Sequence, residues 1–115
     1  MNELSRLTPF EHHIAAEFAR RVRERKGKRI LLMKVFGSRA RGEARADSDL
    51  DILVLLDEMS LPDSREICAV ATDLLLEKEL PFQISPRVMT KAHFEEIMSR
   101  ELLFPKEVER DGITV

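Results

Sequence analysis

Two short apolar runs constrain this chain more than anything else in it. Ile30-Leu31-Leu32-Met33-Lys34-Val35-Phe36 and Asp49-Leu50-Asp51-Ile52-Leu53-Val54-Leu55-Leu56 are nearly continuous in hydrophobic residues, the second apart from its two carboxylates. Each is too short for a typical buried helix, and both are rich in branched side chains. Such runs read as strands covered on both faces. A sheet of this kind needs helices to cover it, and the rest of the chain supplies them. Thr8-Pro9-Phe10-Glu11 has the pattern of a capping box with proline at the first helical position. Phe10, Ile14, Phe18 and Val22, with Ala15 and Ala19 beside them, form one apolar stripe that ends before Gly27. Ser60-Leu61-Pro62-Asp63 opens a second helix with Ile67, Val70, Ala71, Leu74 and Leu75 on one face, and Cys68 is expected to be a small buried hydrophobe beside that stripe. Pro81–Pro86 reads as a short edge strand because of its two prolines. Thr90 caps a last amphipathic helix with Phe94, Ile97, Met98 and Leu102 inward. Asp111-Gly112 is a turn, and Ile113-Thr114-Val115 is either a terminal strand or a loose end. The expected fold is therefore α+β, a small central mixed sheet flanked by helices, with residues 1–115 forming a single domain.

Composition narrows the function classes. No apolar run approaches the roughly 20 residues of a membrane-spanning helix, and Met1–Pro9 lacks the apolar core of a signal peptide. With a single cysteine, this favours a cytoplasmic location. The net charge of −2 hides a gradient. Residues 1–45 hold twelve basic and five acidic side chains, and residues 46–79 hold two basic and ten acidic ones. Arg20, Arg21, Arg23, Arg25 and Lys26 crowd the end of the first helix, where cations oppose the helix dipole. That accounts for the basic run without nucleic acid, which is not an expected partner. The absence of Tyr and Trp also thins any base-stacking platform. His12, His13 and His93 have no matched ligand spacing and read as surface residues.

The chemistry concentrates between the two strands. Gly37-Ser38-Arg39-Ala40-Arg41-Gly42 is a tight turn opening a short helix, a natural place for backbone N–H groups to meet phosphate. Its glycines have P-loop spacing, but Glu43 and Ala44 stand where Lys and Ser or Thr belong, so it is not a P-loop. By itself the turn is equally compatible with a plain strand-to-helix connection. Asp49-x-Asp51 adds two carboxylates on one face of a strand, roughly 6–7 Å apart at Cα. A divalent cation would resolve their repulsion, Mg²⁺ being the ion usually held by one or two carboxylates plus substrate phosphates. A pairing of Asp51 with Arg39 or Arg41 is the alternative. If the strands are neighbours, phosphate and metal meet at one sheet edge, as nucleotidyl transfer requires.

Gly37–Ala44 followed by Ser48-Asp49-Leu50-Asp51-Ile52-Leu53-Val54 resembles the signature of the minimal nucleotidyltransferases of the DNA polymerase β-like superfamily. The resemblance extends to the order of elements and to the closing Glu109-Arg110-Asp111-Gly112-Ile113. It implies that Gly37 and Ser38 hold nucleotide phosphates, that Asp49 and Asp51 are catalytic and bind Mg²⁺, and that Arg39 or Arg41 faces phosphate. A structural ion pair of these arginines with Asp47 or Glu43 is equally compatible. The family often pairs with an all-helical HEPN-domain toxin, and its members can act as antitoxins that transfer AMP from ATP to a tyrosine of that partner. The resemblance also implies a third carboxylate on a later strand, where this chain has Gln83. An amide cannot act as a general base. Two readings follow: an ATP- and Mg²⁺-dependent enzyme, or a catalytically impaired member that neutralises its partner by binding.

Overall fold

The computed structural model describes residues 6–100 and 103–115. Helix α1 (Pro9–Lys26) leads through a 3₁₀ turn (Gly27–Arg29) into β1 (Ile30–Phe36), α2 (Gly37–Arg41) and β2 (Leu50–Leu56). Helix α3 (Leu61–Glu77) carries the chain to β3 (Ile84–Thr90), and α4 (Lys91–Ser99), α5 (Leu103–Asp111) and β4 (Ile113–Thr114) complete it. The strand order is β3-β2-β1-β4. β1 runs antiparallel to both β2 and β4, and β2 runs parallel to β3, so the sheet is mixed, as expected.

Alternation along the strands sends side chains to two cores. Met33, Val35, Leu50, Ile52, Val54 and Leu56 pack with Ile14, Phe18 and Val22 of α1 and Ile67, Val70 and Leu74 of α3. Phe36, Leu53 and Leu55 face the other way, onto Met89, Phe94 of α4 and Val108 of α5. The two nearly continuous apolar runs are thus covered on both faces, apart from Leu31. That residue lies at the register shift between Ile30 and Leu32 and is 47% exposed. No helix among the described residues is long and apolar enough to cross a membrane.

The capping signals hold in detail. The Thr8 hydroxyl accepts the Glu11 N–H, and the Glu11 carboxylate accepts the Thr8 N–H. Asp63 does the same for Ser60 at the start of α3. Four expectations need correction. Cys68 is exposed, because it lies one residue past Ile67 and turns off the buried stripe. The edge strand begins later than Pro81 and continues to Thr90. The ladder tolerates Pro86 because the Gln83 carbonyl faces β2, accepting the Leu50 N–H, so three residues on the proline nitrogen faces away. The last helix is two helices, with Pro105 lodged in the first turn of α5, where no N–H is needed; Leu102 falls outside the described residues. Phe10 is 47% exposed and meets Phe82 edge-on instead of entering the core. Of the two options for the last three residues, the strand is realised: Ile113 and Thr114 pair with Val35 and Lys34.

The basic end of α1 is matched by carboxylates of α1 and α3. Arg20 pairs with Glu17 and Glu24, Arg21 with Glu17 and Glu77, and Lys26 with Asp63 and Glu66. Asp63 also takes Arg29, and both the Asp63 and Lys26 side chains are buried. Hydrogen bonds from Arg29, then from the Ser60 N–H and Lys26, hold the Asp63 carboxyl well below the usual carboxylate range. A depressed pKa stabilises the fold above the unfolded value of about 4, and the contribution is lost as pH falls below it. Asp63→Asn leaves the buried Lys26 ammonium with Glu66 alone and takes the carboxylate away from Arg29, at a cost of about 3 kcal/mol near neutral pH. Urea unfolding at a series of pH values checks this: the gap between wild type and variant narrows as pH falls below about 4.

Candidate active site

The turn after β1 is shaped by what lies against it. Gly37 has φ +82°, a left-handed conformation that costs other residues roughly 1–2 kcal/mol. A Cβ there would also stand 2.4 Å from Oδ2 of Asp51. Asp51 is the register partner of Phe36, so its carboxylate leans over the first residue of α2. Close approach between the Asp51 carboxylate and a bare backbone is therefore the reason that this position is glycine. Ser38, half-buried, follows it. Gly42 ends α2 in the left-handed conformation, and its N–H returns to the Arg39 carbonyl.

The two arginines of the motif part company. Arg39 turns inward and is 8% exposed. Nη1 donates to Glu11 at 2.7 Å, Nε to the Ser48 carbonyl at 2.9 Å, and Nη2 to the carbonyls of Arg45 and Ala46. The guanidinium also lies 4.1 Å from the centre of the Phe82 ring. With these donors committed, Arg39 is withdrawn from the phosphate-facing residues expected from the sequence, and its counterion is Glu11 instead of Asp47 or Glu43. Its carbonyl contacts pin the tight turn 45–48, in which the Arg45 N–H also meets the Ser48 hydroxyl. That turn delivers Asp49. Arg41 stays near the surface, bonded to Glu43 at 3.0 Å and 3.8 Å from Asp111. It helps line a cleft of about 450 Å³ with Arg6, Arg110 and Asp111.

Asp49 is exposed and Asp51 half-buried, and alternation puts both on one face of β2. Neither forms an ion pair among the described residues, so the pairing of Asp51 with Arg39 or Arg41 is not made. Burial raises the Asp51 pKa above its ordinary value, and the charge of Asp49 raises it further, against the pull of Arg87 and Arg41. Two adjacent carboxylates, one partly desolvated and neither neutralised, are a fitting donor set for a hard divalent cation. Among the described residues no group of three or more His, Cys, Asp or Glu side chains is disposed to hold a metal, so the pair stands without a third acid. Gln83 lies one residue before β3, opposite Asp49 when the register is continued, and lines a shallow cleft with Asp47, Asp49 and Phe82.

With this geometry in place, comparison with known proteins is direct. A family model for the nucleotidyltransferase domain matches residues 15–113. The chain belongs to that family. Among solved structures, this chain resembles one described as a minimal nucleotidyltransferase at 28% identity and TM-score 0.54, covering 91% of this chain and 95% of that one. A toxin–antitoxin structure with AMP-PNP matches at 17% identity and TM-score 0.52, over 85% of this chain and 69% of that one. A mutant of the toxin–antitoxin pair MntA–HpeT matches at 14% identity and TM-score 0.52, with the same coverage. A search of curated proteins gives no significant match. The mixed sheet and its flanking helices are the nucleotidyltransferase fold.

Two charged residues near Asp51 escaped the sequence reading. Arg87 of β3 and Glu107 of α5 both act on its charge. Alternation from Ser85, which pairs with Asp51, would have placed Arg87 on the same face, had β3 been given its true extent. Nothing local signals Glu107.

Because Arg39 and Glu11 are both buried, breaking their pair from either side leaves an uncompensated charge. Arg39→Met and Glu11→Gln each destabilise by about 3 kcal/mol, and the double variant costs clearly less than the two together. Equilibrium urea unfolding of all three variants checks the cycle. Gly37→Ala costs at least about 1 kcal/mol in the same assay, from backbone strain alone.

Proposed function

We propose that this nucleotidyltransferase transfers AMP from ATP to a hydroxyl of a protein partner, a tyrosine of a HEPN-type toxin, and thereby acts as its antitoxin. The observation that carries this reading is the packing of Asp51 against Gly37, with Asp49 on the same strand face. The two carboxylates and the bare backbone of the turn meet there at one end of the two central strands. The toxin–antitoxin relatives, one of them with AMP-PNP, support the choice of donor and partner class. The chain has no tyrosine, so a tyrosine acceptor lies on another molecule.

In this reading Asp49 and Asp51 hold Mg²⁺, which when bound offsets the negative charge of the phosphates. The Gly37 backbone and the Ser38 N–H and hydroxyl orient the phosphates, and Arg41 adds positive charge beside Asp51. Arg39 acts at one remove, by fixing the turn from which Asp49 projects. The acceptor oxygen forms a bond to the α-phosphorus as the bond to the bridging oxygen breaks. Pyrophosphate departs with that electron pair. The hydroxyl proton passes to solvent or to a group of the partner, because the Gln83 amide cannot take it.

Gln83 also favours a second reading, in which the protein binds nucleotide and partner but transfers slowly, and neutralises the toxin by occlusion. Labelled ATP, Mg²⁺ and the HEPN protein separate the two. Label on the partner that is lost with Asp51→Asn supports transfer. A tight complex that carries no label and survives Asp51→Asn supports occlusion. Loss of a general base costs typically 10²–10⁴ in rate. Gln83→Asp is therefore expected to raise transfer at least tenfold, read as initial labelling rate.

A further inference from the structure

Two aspartates attract a divalent cation and repel a triphosphate, so the site needs positive charge on the side where the donor's outer phosphates lie. Arg41 is already engaged by Glu43 and neighbours Asp111. Arg87 is not engaged in this way. It is exposed, and among the described residues it forms no ion pair, unlike Arg20, Arg21, Arg29, Arg39, Arg41 and Arg110. Its position follows from the parallel register. Ser85 pairs with Asp51 and Arg87 with Leu53, which puts Arg87 on the carboxylate face of the sheet, two residues along.

Its orientation is also prepared. The guanidinium lies 4.8 Å from the centre of the Phe104 ring. Phe104 packs edge-on against Phe36 with ring centres 5.2 Å apart, and Phe36 is the register partner of Asp51. An arginine held on an aromatic ring keeps its edge donors free and loses less freedom when it binds an anion.

We propose that Arg87, seated on Phe104, is the anchor for the β- and γ-phosphates of a nucleoside triphosphate donor and for the pyrophosphate that leaves. The proposal rests on the nucleotidyltransferase reading above and names a residue in its donor site. It makes Arg87 a selector of triphosphate over monophosphate: the leaving group carries the new negative charge toward a planar, two-donor cation. No proton moves at Arg87, which stays charged throughout.

The test is calorimetric titration of the full chain with AMP-PNP, inorganic pyrophosphate and AMP, each with and without Mg²⁺. Loss of a charge-assisted contact weakens binding roughly 10- to 100-fold. Arg87→Ala is expected to lose that much affinity for AMP-PNP and pyrophosphate while AMP changes by less than about twofold. Arg87→Lys recovers part of it, since the charge returns without the planar fork. Melting curves of both variants stay at the wild-type temperature, because the side chain is exposed. Unchanged binding of AMP-PNP and pyrophosphate by Arg87→Ala overturns the proposal. An equal loss for AMP does so too, because Arg87 would then be supporting the whole site. If the wild-type chain binds none of the three ligands, the nucleotidyltransferase reading itself fails.

Discussion

The buried guanidinium of Arg39 is the contact on which the working end of this molecule depends. Glu11 divides its carboxylate between two tasks, capping α1 through the Thr8 N–H and neutralising Arg39. Arg39 in turn holds three carbonyls of the 45–48 turn and covers Phe82, the residue before Gln83. One planar cation thus ties the start of the first helix, the turn leading into the aspartate strand and the approach to the edge strand. A lysine could supply the charge, but not four directed hydrogen bonds and a flat face together. The placement of Asp49 is therefore settled partly by a residue some forty positions earlier, and the first helix belongs to the site although it contributes nothing that touches it.

How far the chain could be read without coordinates depended on whether each cause was local. Caps at Thr8 and Ser60, the stop at Gly27 and the two apolar strands rest on neighbours in sequence, and all of them hold. Asp49 and Asp51 were legible for the same reason, since two carboxylates two apart in an apolar run must share a face. The boundaries of β3 were not, because whether Pro86 interrupts a ladder depends on which side faces β2. α5 was hidden by Pro105, which looks like an interruption until it is placed in a first turn. Arg39 and Arg41 are indistinguishable as letters, and only the burial of one beside Glu11 separates them. Gly37 is the mixed case: a tight turn alone suggests glycine, but the atom that forbids a side chain belongs to Asp51, fourteen residues later.

The charge gradient of the sequence also resolves into two parts. Most of the excess positive charge on α1 is matched by Glu77, Asp63 and Glu66 of α3, so much of the division between a basic first half and an acidic middle serves to dock one helix on another. Among the charged groups that form no ion pair within the described residues are the two aspartates of β2 and Arg87 of β3, which lie on neighbouring strands.

The outward-facing nitrogen of Pro86 has a further consequence. β3 is the open edge of the sheet, and an edge of seven residues would ordinarily present a row of donors to any passing strand. The proline leaves a gap near the middle of that row. At the opposite edge, β4 is only two residues long. A strand laid along β3 would be one hydrogen bond short where its register is set, so the sheet resists growth by strand addition at the edge closest to its own carboxylates.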